Sequence, residues 1–349
     1  MNDARGVLIS DFNTSNLAAI LANADDEPKL EIIEAPFGQV DQLLLDRDNP
    51  VWEHDLDFAL VWTRPEAMLP TVRDAWDYSI EDTSPLGPEV DAFAGRVASL
   101  TDRVNTVLVS TWVGARDARG LGPIDLTHPL GRRRLLLEAN VRLVRALDSV
   151  AGAFVLDAED WIHDASRDAF NDRLYYMAKI PFANPVFHRA AVDVKAVLRS
   201  VAGGSKKLIV LDLDNTLWGG VVGEDGRDNL TLGGHDPDGE AFVDFQRALK
   251  ALTNRGILLA VASKNDEATA LDAIDRHPEM VLSRDDLATW RIDWNDKAGN
   301  IAALVAELNL GLDSVVFIDD SPAERARVGE ALPEVLVPEW PRSPSKYAG

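Results

Sequence analysis

The sequence predicts an α/β protein of two domains, each built on a parallel, doubly wound sheet. Short apolar runs alternate with longer segments of helical period along the whole chain, the pattern of successive βαβ units. The apolar runs are near-continuous rather than alternating, as strands covered on both faces must be. The chain has 349 residues, room for two cores, and 46% of them are hydrophobic, ordinary for a globular protein.

In the first half, strands are expected at residues 7–10, 30–35, 57–62, 106–111 and 154–156. Helical patterns lie between them. The clearest is 132–147, where Leu135, Ala139, Leu143 and Leu147 form one stripe. Trp52, Trp62 and Trp112 fall near strand ends, and core packing is their expected role. Two prolines in 180–185 and the Val-Ala-Gly-Gly-Ser run at 201–205 punctuate the chain. The expected division is a domain at 1–190, a linker at 191–205 and a second domain at 206–349.

The second half opens on four apolar residues, Leu208 to Leu211, that run directly into Asp212, Asp214 and Thr216. A buried strand ending in clustered acids puts them at the carboxyl edge of a sheet, where open α/β folds hold ligands. Such a pair suits phosphoryl transfer: one carboxylate attacks phosphorus and its neighbour protonates the leaving oxygen. A helix follows, with Phe242, Phe245, Leu249 and Leu252 at helical spacing and Gly256 as its stop. The glycine-rich stretch 218–237 before it reads as a hairpin flap. The next strand, 257–261, leads to Ser263, Lys264 and Asn265. Between Ser263 and Lys297 there is room for one helix, a strand and a turn. Lys297 opens an amphipathic helix, and the strand 315–318 ends in Asp319 and Asp320.

Ser263 can donate to a phosphoryl oxygen, and Lys297 can neutralise charge on the nucleophile. Asp212, Asp319 and Asp320 can hold a magnesium ion, which prefers oxygen ligands. Singly, each has a plain structural reading: a solvated turn, a strand-end serine, a surface lysine, a helix cap. Ser321, with Pro322 and Glu324 behind it, does make a good cap. The ordered set is what points to a phosphoryl site.

The runs DLDNTLWGGVVGEDG, LLAVASKNDE, WNDKAGNI and FIDDSPAER closely resemble the FkbH-like subfamily of haloacid-dehalogenase-type (HAD) phosphohydrolases. The resemblance spans about residues 200–340. It implies a HAD-type Rossmannoid domain without a large cap. It also implies Asp212 as nucleophile, Asp214 as general acid, and Ser263 and Lys297 as phosphoryl ligands. Magnesium would be held by Asp212, the backbone carbonyl of Asp214, and Asp320, with Asp319 as ligand or neighbour. Thr216, Lys264 and Asn265 would line the site. In the first half, ISDFNTSNLAAIL and RLYYMAKIPF resemble the same family's amino-terminal domain, an SGNH/flavodoxin-like sheet. An esterase of that type carries a serine after the first strand. Here Ser10 and Ser15 lack the usual Gly-Asp-Ser context, and a histidine partner would have to come from one of six. Asp11 and Asn13 are read instead as ligand-binding or as shaping the first turn, Asn13 also being a good helix N-cap.

Relatives of this type are associated with loading a glyceryl unit from 1,3-bisphosphoglycerate onto an acyl carrier protein in polyketide biosynthesis. An acyl relay would naturally use a thiolate. This chain has no cysteine, and Ala262 stands where relatives frequently have one. Direct attack by the carrier thiol, a serine relay, or simple phosphatase action on another phosphoester all remain open. The formal net charge of −23 argues against nucleic-acid binding; Arg132–Arg134 is one candidate for a local basic patch, or a solvated face at a helix start. No apolar run reaches membrane-spanning length and no secretory leader is visible, so a cytoplasmic location away from membranes is expected.

Overall fold

The computed structural model describes residues 3–114, 120–165, 169–234 and 236–348. The chain divides into two compact units, Met1–Gly203 and Gly204–Gly349. Among the described residues no helix is long and apolar enough to cross a membrane.

In the first unit, strands β1 (Ala4–Ser10), β2 (Leu30–Glu34), β3 (Phe58–Trp62), β4 (Thr106–Ser110) and β5 (Ala153–Leu156) form one parallel sheet. Its order is β2-β1-β3-β4-β5, a doubly wound arrangement of flavodoxin type. Successive side chains point to opposite faces, and both faces are buried. Val7 and Ile9 pack with Phe93, Leu135 and Leu143 on one side; Leu8, Leu60 and Trp62 pack with Leu17, Phe187 and Val194 on the other. β1 begins at Ala4, ahead of its apolar run. Arg5 pairs with Glu31 at 2.7 Å across the β1–β2 edge, and Gly6 lies under the Phe58 ring, where a Cβ would come within 2.1 Å. A charge and a glycine hide the start of that strand.

The expected linker at 191–205 is corrected. Residues up to 201 are the second half of helix Asn184–Val201, and Ala191, Val194 and Leu198 are buried in the first core. The polar residues between them mask the stripe. Two of these are themselves engaged: Lys195 binds Asp26, and Asp193 accepts from Trp161 Nε1 at 2.7 Å.

In the second unit, β6 (Leu208–Leu211), β7 (Leu258–Ser263), β8 (Leu287–Ile292) and β9 (Val315–Ile318) form a parallel sheet of order β8-β7-β6-β9. Ile209 and Leu211 face Phe242 and Leu249, while Leu208 and Val210 face Ile301 and Leu304. β8 is an edge strand carrying Thr289, Trp290 and Arg291, so its sequence lacks the apolar run of its neighbours. The 218–237 flap is only partly a hairpin. One antiparallel bridge, Gly219 with Thr231, pinches it, with both hydrogen bonds at 2.9 Å. The loop between holds a helical turn, Val222–Asp225, instead of two strands. No cap domain interrupts the described residues between β6 and β7 or between β7 and β9.

Candidate active site

Three elements of the second unit converge at the carboxyl edge of its sheet. Asp212 follows directly on β6, Asp319 and Asp320 follow on β9, and helix Lys297–Glu307 begins with Lys297. β6 and β9 are neighbours although far apart in sequence, so this is the point where strand order reverses and ligands are held. Carboxylate oxygens of Asp212, Asp319 and Asp320 lie within 4.8 Å of one another. Lys297 Nζ sits 2.8 Å from Asp212 Oδ1 and 2.6 Å from Asp319 Oδ2. Asp212, Asp319 and Lys297 are all buried.

Burial pushes the Asp212 carboxyl up to about 6, against the pull of Lys297, and the Asp319 carboxylate adds to the rise. Burial alone would lower the Lys297 ammonium, but Asp212 and Asp319 raise it instead. Burial and Asp319 also raise Asp320. No cationic side chain forms an ion pair with the Asp320 carboxylate among the described residues; Arg325 instead donates to the backbone carbonyls of Asp319 and Asp320, at 2.7 and 2.8 Å. Three carboxylates facing one ammonium leave an excess of two negative charges when all are ionised. A small divalent cation with a preference for oxygen ligands fits that excess and that donor set.

The Asp214 carboxylate is not part of this trio. It accepts from Trp218 Nε1 at 2.9 Å, Val222 N at 3.0 Å and Asn265 Nδ2 at 2.9 Å. As a metal position it therefore has only its backbone to offer. The flap's Trp218 and Val222 were not singled out from the sequence, and no local signal reveals a donor eight residues on. Asn265 Nδ2 also donates to Ser263 Oγ at 3.2 Å, and the Ser263 hydroxyl reaches Asp212. Thr216 Oγ1 accepts from Asp320 N at 3.1 Å, tying the β6 loop to the β9 loop. Lys264 Nζ pairs with Glu324 Oε1 at 2.6 Å, on the helix after β9. Ser321 caps that helix, accepting from Glu324 N at 3.4 Å, as its sequence suggests.

At the matching edge of the first unit no triad assembles among the described residues. Ser10 Oγ accepts from Phe12 N at 3.1 Å, and Ser15 Oγ donates to Glu34 at 2.9 Å. No described histidine hydrogen-bonds either serine, and His235 lies outside the described residues. Asn13 Oδ1 accepts from Ser15 N at 2.9 Å, a turn role. Asp11 borders a cleft of about 410 Å³, but its carboxylate is taken by Arg64, through the backbone N and Nε, each at 2.7 Å.

No protein-family model and no curated protein sequence matches this chain. Among solved structures, it is similar to the amino-terminal part of BF1531 from Bacteroides fragilis, which contains a phosphatase domain and was crystallised with magnesium. Identity is 28% and the TM-score 0.87, over 99% of this chain and 92% of that one. An acetylxylan esterase from Geobacillus stearothermophilus matches 55% of this chain and 93% of its own, at 10% identity and a TM-score of 0.39. 3-Deoxy-D-manno-octulosonate 8-phosphate phosphatase from Moraxella catarrhalis matches 42% of this chain and 77% of its own, at 21% identity and a TM-score of 0.26. The similarity to the Bacteroides structure extends over both units of the chain.

Proposed function

We propose that this chain is a magnesium-dependent phosphatase of HAD type, acting on a phosphorylated small molecule through an aspartyl-phosphate on Asp212. The observation that carries it is the buried Asp212–Lys297–Asp319 ion-pair chain beside Asp320 at the strand-order reversal. The likeness over nearly the whole chain to a magnesium-bound protein with a phosphatase domain supports it.

Asp212, Asp319 and Asp320, with the backbone of Asp214, would hold the magnesium. When bound, the ion would screen the carboxylates from the phosphoryl oxygens and polarise the phosphorus. Lys297 holds Asp212 Oδ1, which fixes the carboxylate's orientation and favours its ionised, nucleophilic form. An Asp212 oxygen forms the bond to phosphorus as the bond to the leaving oxygen breaks. Asp214, once protonated, gives its proton to that oxygen. It then takes a proton from the water that attacks the aspartyl-phosphate, releasing inorganic phosphate and restoring both residues. The three donors to Asp214 hold its carboxylate in one orientation for both transfers.

The finer reading, glyceryl loading from 1,3-bisphosphoglycerate onto an acyl carrier protein, is supported by the FkbH-like sequence runs. It requires that Asp212 attack the ester phosphate and spare the acyl phosphate, since attack on the latter would release free glycerate and lose its activation. With no cysteine to relay the acyl group, the carrier's own thiol would be the acceptor. Incubation with magnesium and 4-nitrophenyl phosphate tests the phosphatase. We expect phosphate release by the wild type and none by Asp212→Asn; retained turnover in the variant would overturn the nucleophile assignment. Incubation with 1,3-bisphosphoglycerate and holo-carrier proteins, read by mass spectrometry, tests the transfer.

A further inference from the structure

One residue beside this site has no part in the chemistry above. Trp294 is 76% exposed, the only one of the nine tryptophans to stand mostly in solvent. It lies on the turn between β8 and Lys297, at the carboxyl edge of the sheet. Asp293 N donates to the carbonyl of Ser263 at 3.1 Å, and Lys297, three residues beyond Trp294, touches Asp212. The turn is braced. Asp293 Oδ1 accepts from Asn295 N at 2.8 Å and from Asn300 Nδ2 at 2.9 Å. Asp296 accepts from Gly299 N at 3.3 Å and pairs with Arg327.

The carboxylates flanking Trp294 are therefore engaged by the turn and by the two helices that follow it, and the large surface left facing outward is the indole. A bare indole face costs free energy in water. No cap domain interrupts the described residues of this unit, and the turn stands at the same sheet edge as Ser263 and Asp212, beside the place where a group attached to the phosphoryl would emerge.

Resting on the phosphatase reading, we propose that Trp294 determines specificity, its indole serving as a platform for a ring-bearing leaving group with a flat, largely apolar face. The phosphoryl binds by charge, whatever it is attached to, and the platform selects what is attached. A three-carbon glyceryl group would leave the indole uncovered, so this inference favours a ring-bearing phosphoester as substrate.

The test is calorimetric titration, in magnesium, with 1-naphthylphosphonate and methylphosphonate, whose C–P bonds resist hydrolysis. The wild type should bind the naphthyl compound about tenfold more tightly, the scale of one aromatic stacking contact. In Trp294→Ala the ratio of the two dissociation constants should fall to about one, the loss of that single contact, while Trp294→Phe should retain most of the preference. A wild type that binds both equally, or an alanine variant that keeps the preference, overturns the proposal. Phosphate release from 4-nitrophenyl phosphate by the same wild-type sample tests the phosphatase reading separately. Ring preference without release sinks that reading and keeps the platform; binding of neither phosphonate sinks both.

Discussion

A lysine buried between two carboxylates does structural and chemical work at once. Lys297 Nζ neutralises part of a cluster that would otherwise place Asp212, Asp319 and Asp320 in mutual repulsion. Removing one partner of a buried ion pair strands the others and costs about 3–5 kcal/mol. Lys297→Met should therefore lower the stability of the metal-free protein by about that amount, read as a fall in the urea midpoint. A variant as stable as the wild type would show that the ammonium is not needed to hold the carboxylates. Asp320 sits on the other side of the balance: Lys297 and Arg325 act on it from a distance, but among the described residues no cationic side chain pairs with its carboxylate, and burial and Asp319 prevail. Magnesium should raise the melting temperature of the wild type, by about 2.7 kcal/mol of added stability at a hundredfold excess over Kd. Asp320→Asn should fold normally and lose most of that gain. An undiminished shift would remove Asp320 from the metal site.

At the scale of single elements, the helix Arg132–Leu147 shows how a distant residue can start a helix. Gly131 at its N-cap has no side chain to offer. Asp125 supplies the cap from outside, accepting from Arg132 N at 3.1 Å, Arg133 N at 2.6 Å and Leu121 N at 3.0 Å. The chain passes so close that a Cβ on residue 131 would meet the Asp125 carbonyl at 1.7 Å. The arginines at this helix start are spent locally: Arg132 stacks on Trp76 at 4.5 Å and Arg134 pairs with Glu138 at 2.9 Å. Asp125→Ala should cost about 1–3 kcal/mol, by uncapping the helix and orphaning backbone donors. Burial raises the Asp125 carboxyl, but the backbone donors and Arg133 outweigh it and hold it below the usual range. Its contribution is whole above the unfolded value of about 3.9 and is lost as pH falls through the lower folded value. The stability gap between wild type and Asp125→Ala should therefore close in strong acid and stay constant between pH 5 and pH 8; a gap that persists in acid would exclude the carboxylate as the cap.

Across the whole molecule, the corrected boundary has a direct consequence. Residues 1–190 expressed alone lack Ala191, Val194 and Leu198, which fill the first core, whereas residues 1–203 keep them. Loss of several buried aliphatic side chains exceeds the margin of a typical domain. The 1–203 chain should unfold cooperatively in urea and the 1–190 chain should not. Equal cooperativity would show that the end of helix Asn184–Val201 is dispensable. The two sheets and most of their strands were legible because strands buried on both faces must be apolar throughout, as Phe58–Trp62 and Leu208–Leu211 are. Edge strand β8 was expected between Ser263 and Lys297 but its position was not legible, nor was the start of β1, because a strand with one side unpaired, or under a large ring, tolerates charge and glycine.

The sequence by itself determined which residues end three of the four strands of the second unit: Asp212 after β6, Ser263 at the end of β7, and Asp319 and Asp320 after β9. Apolar period and strand termination are local properties, written in consecutive residues. Only the tertiary structure decided the partners: Asp214 bound by Trp218 and Asn265, Lys264 drawn to Glu324, Asp11 held by Arg64, and Trp294 left bare. Those pairings depend on how separate elements pack, and a residue's chain neighbours carry no record of which distant side chain will fill the space beside it.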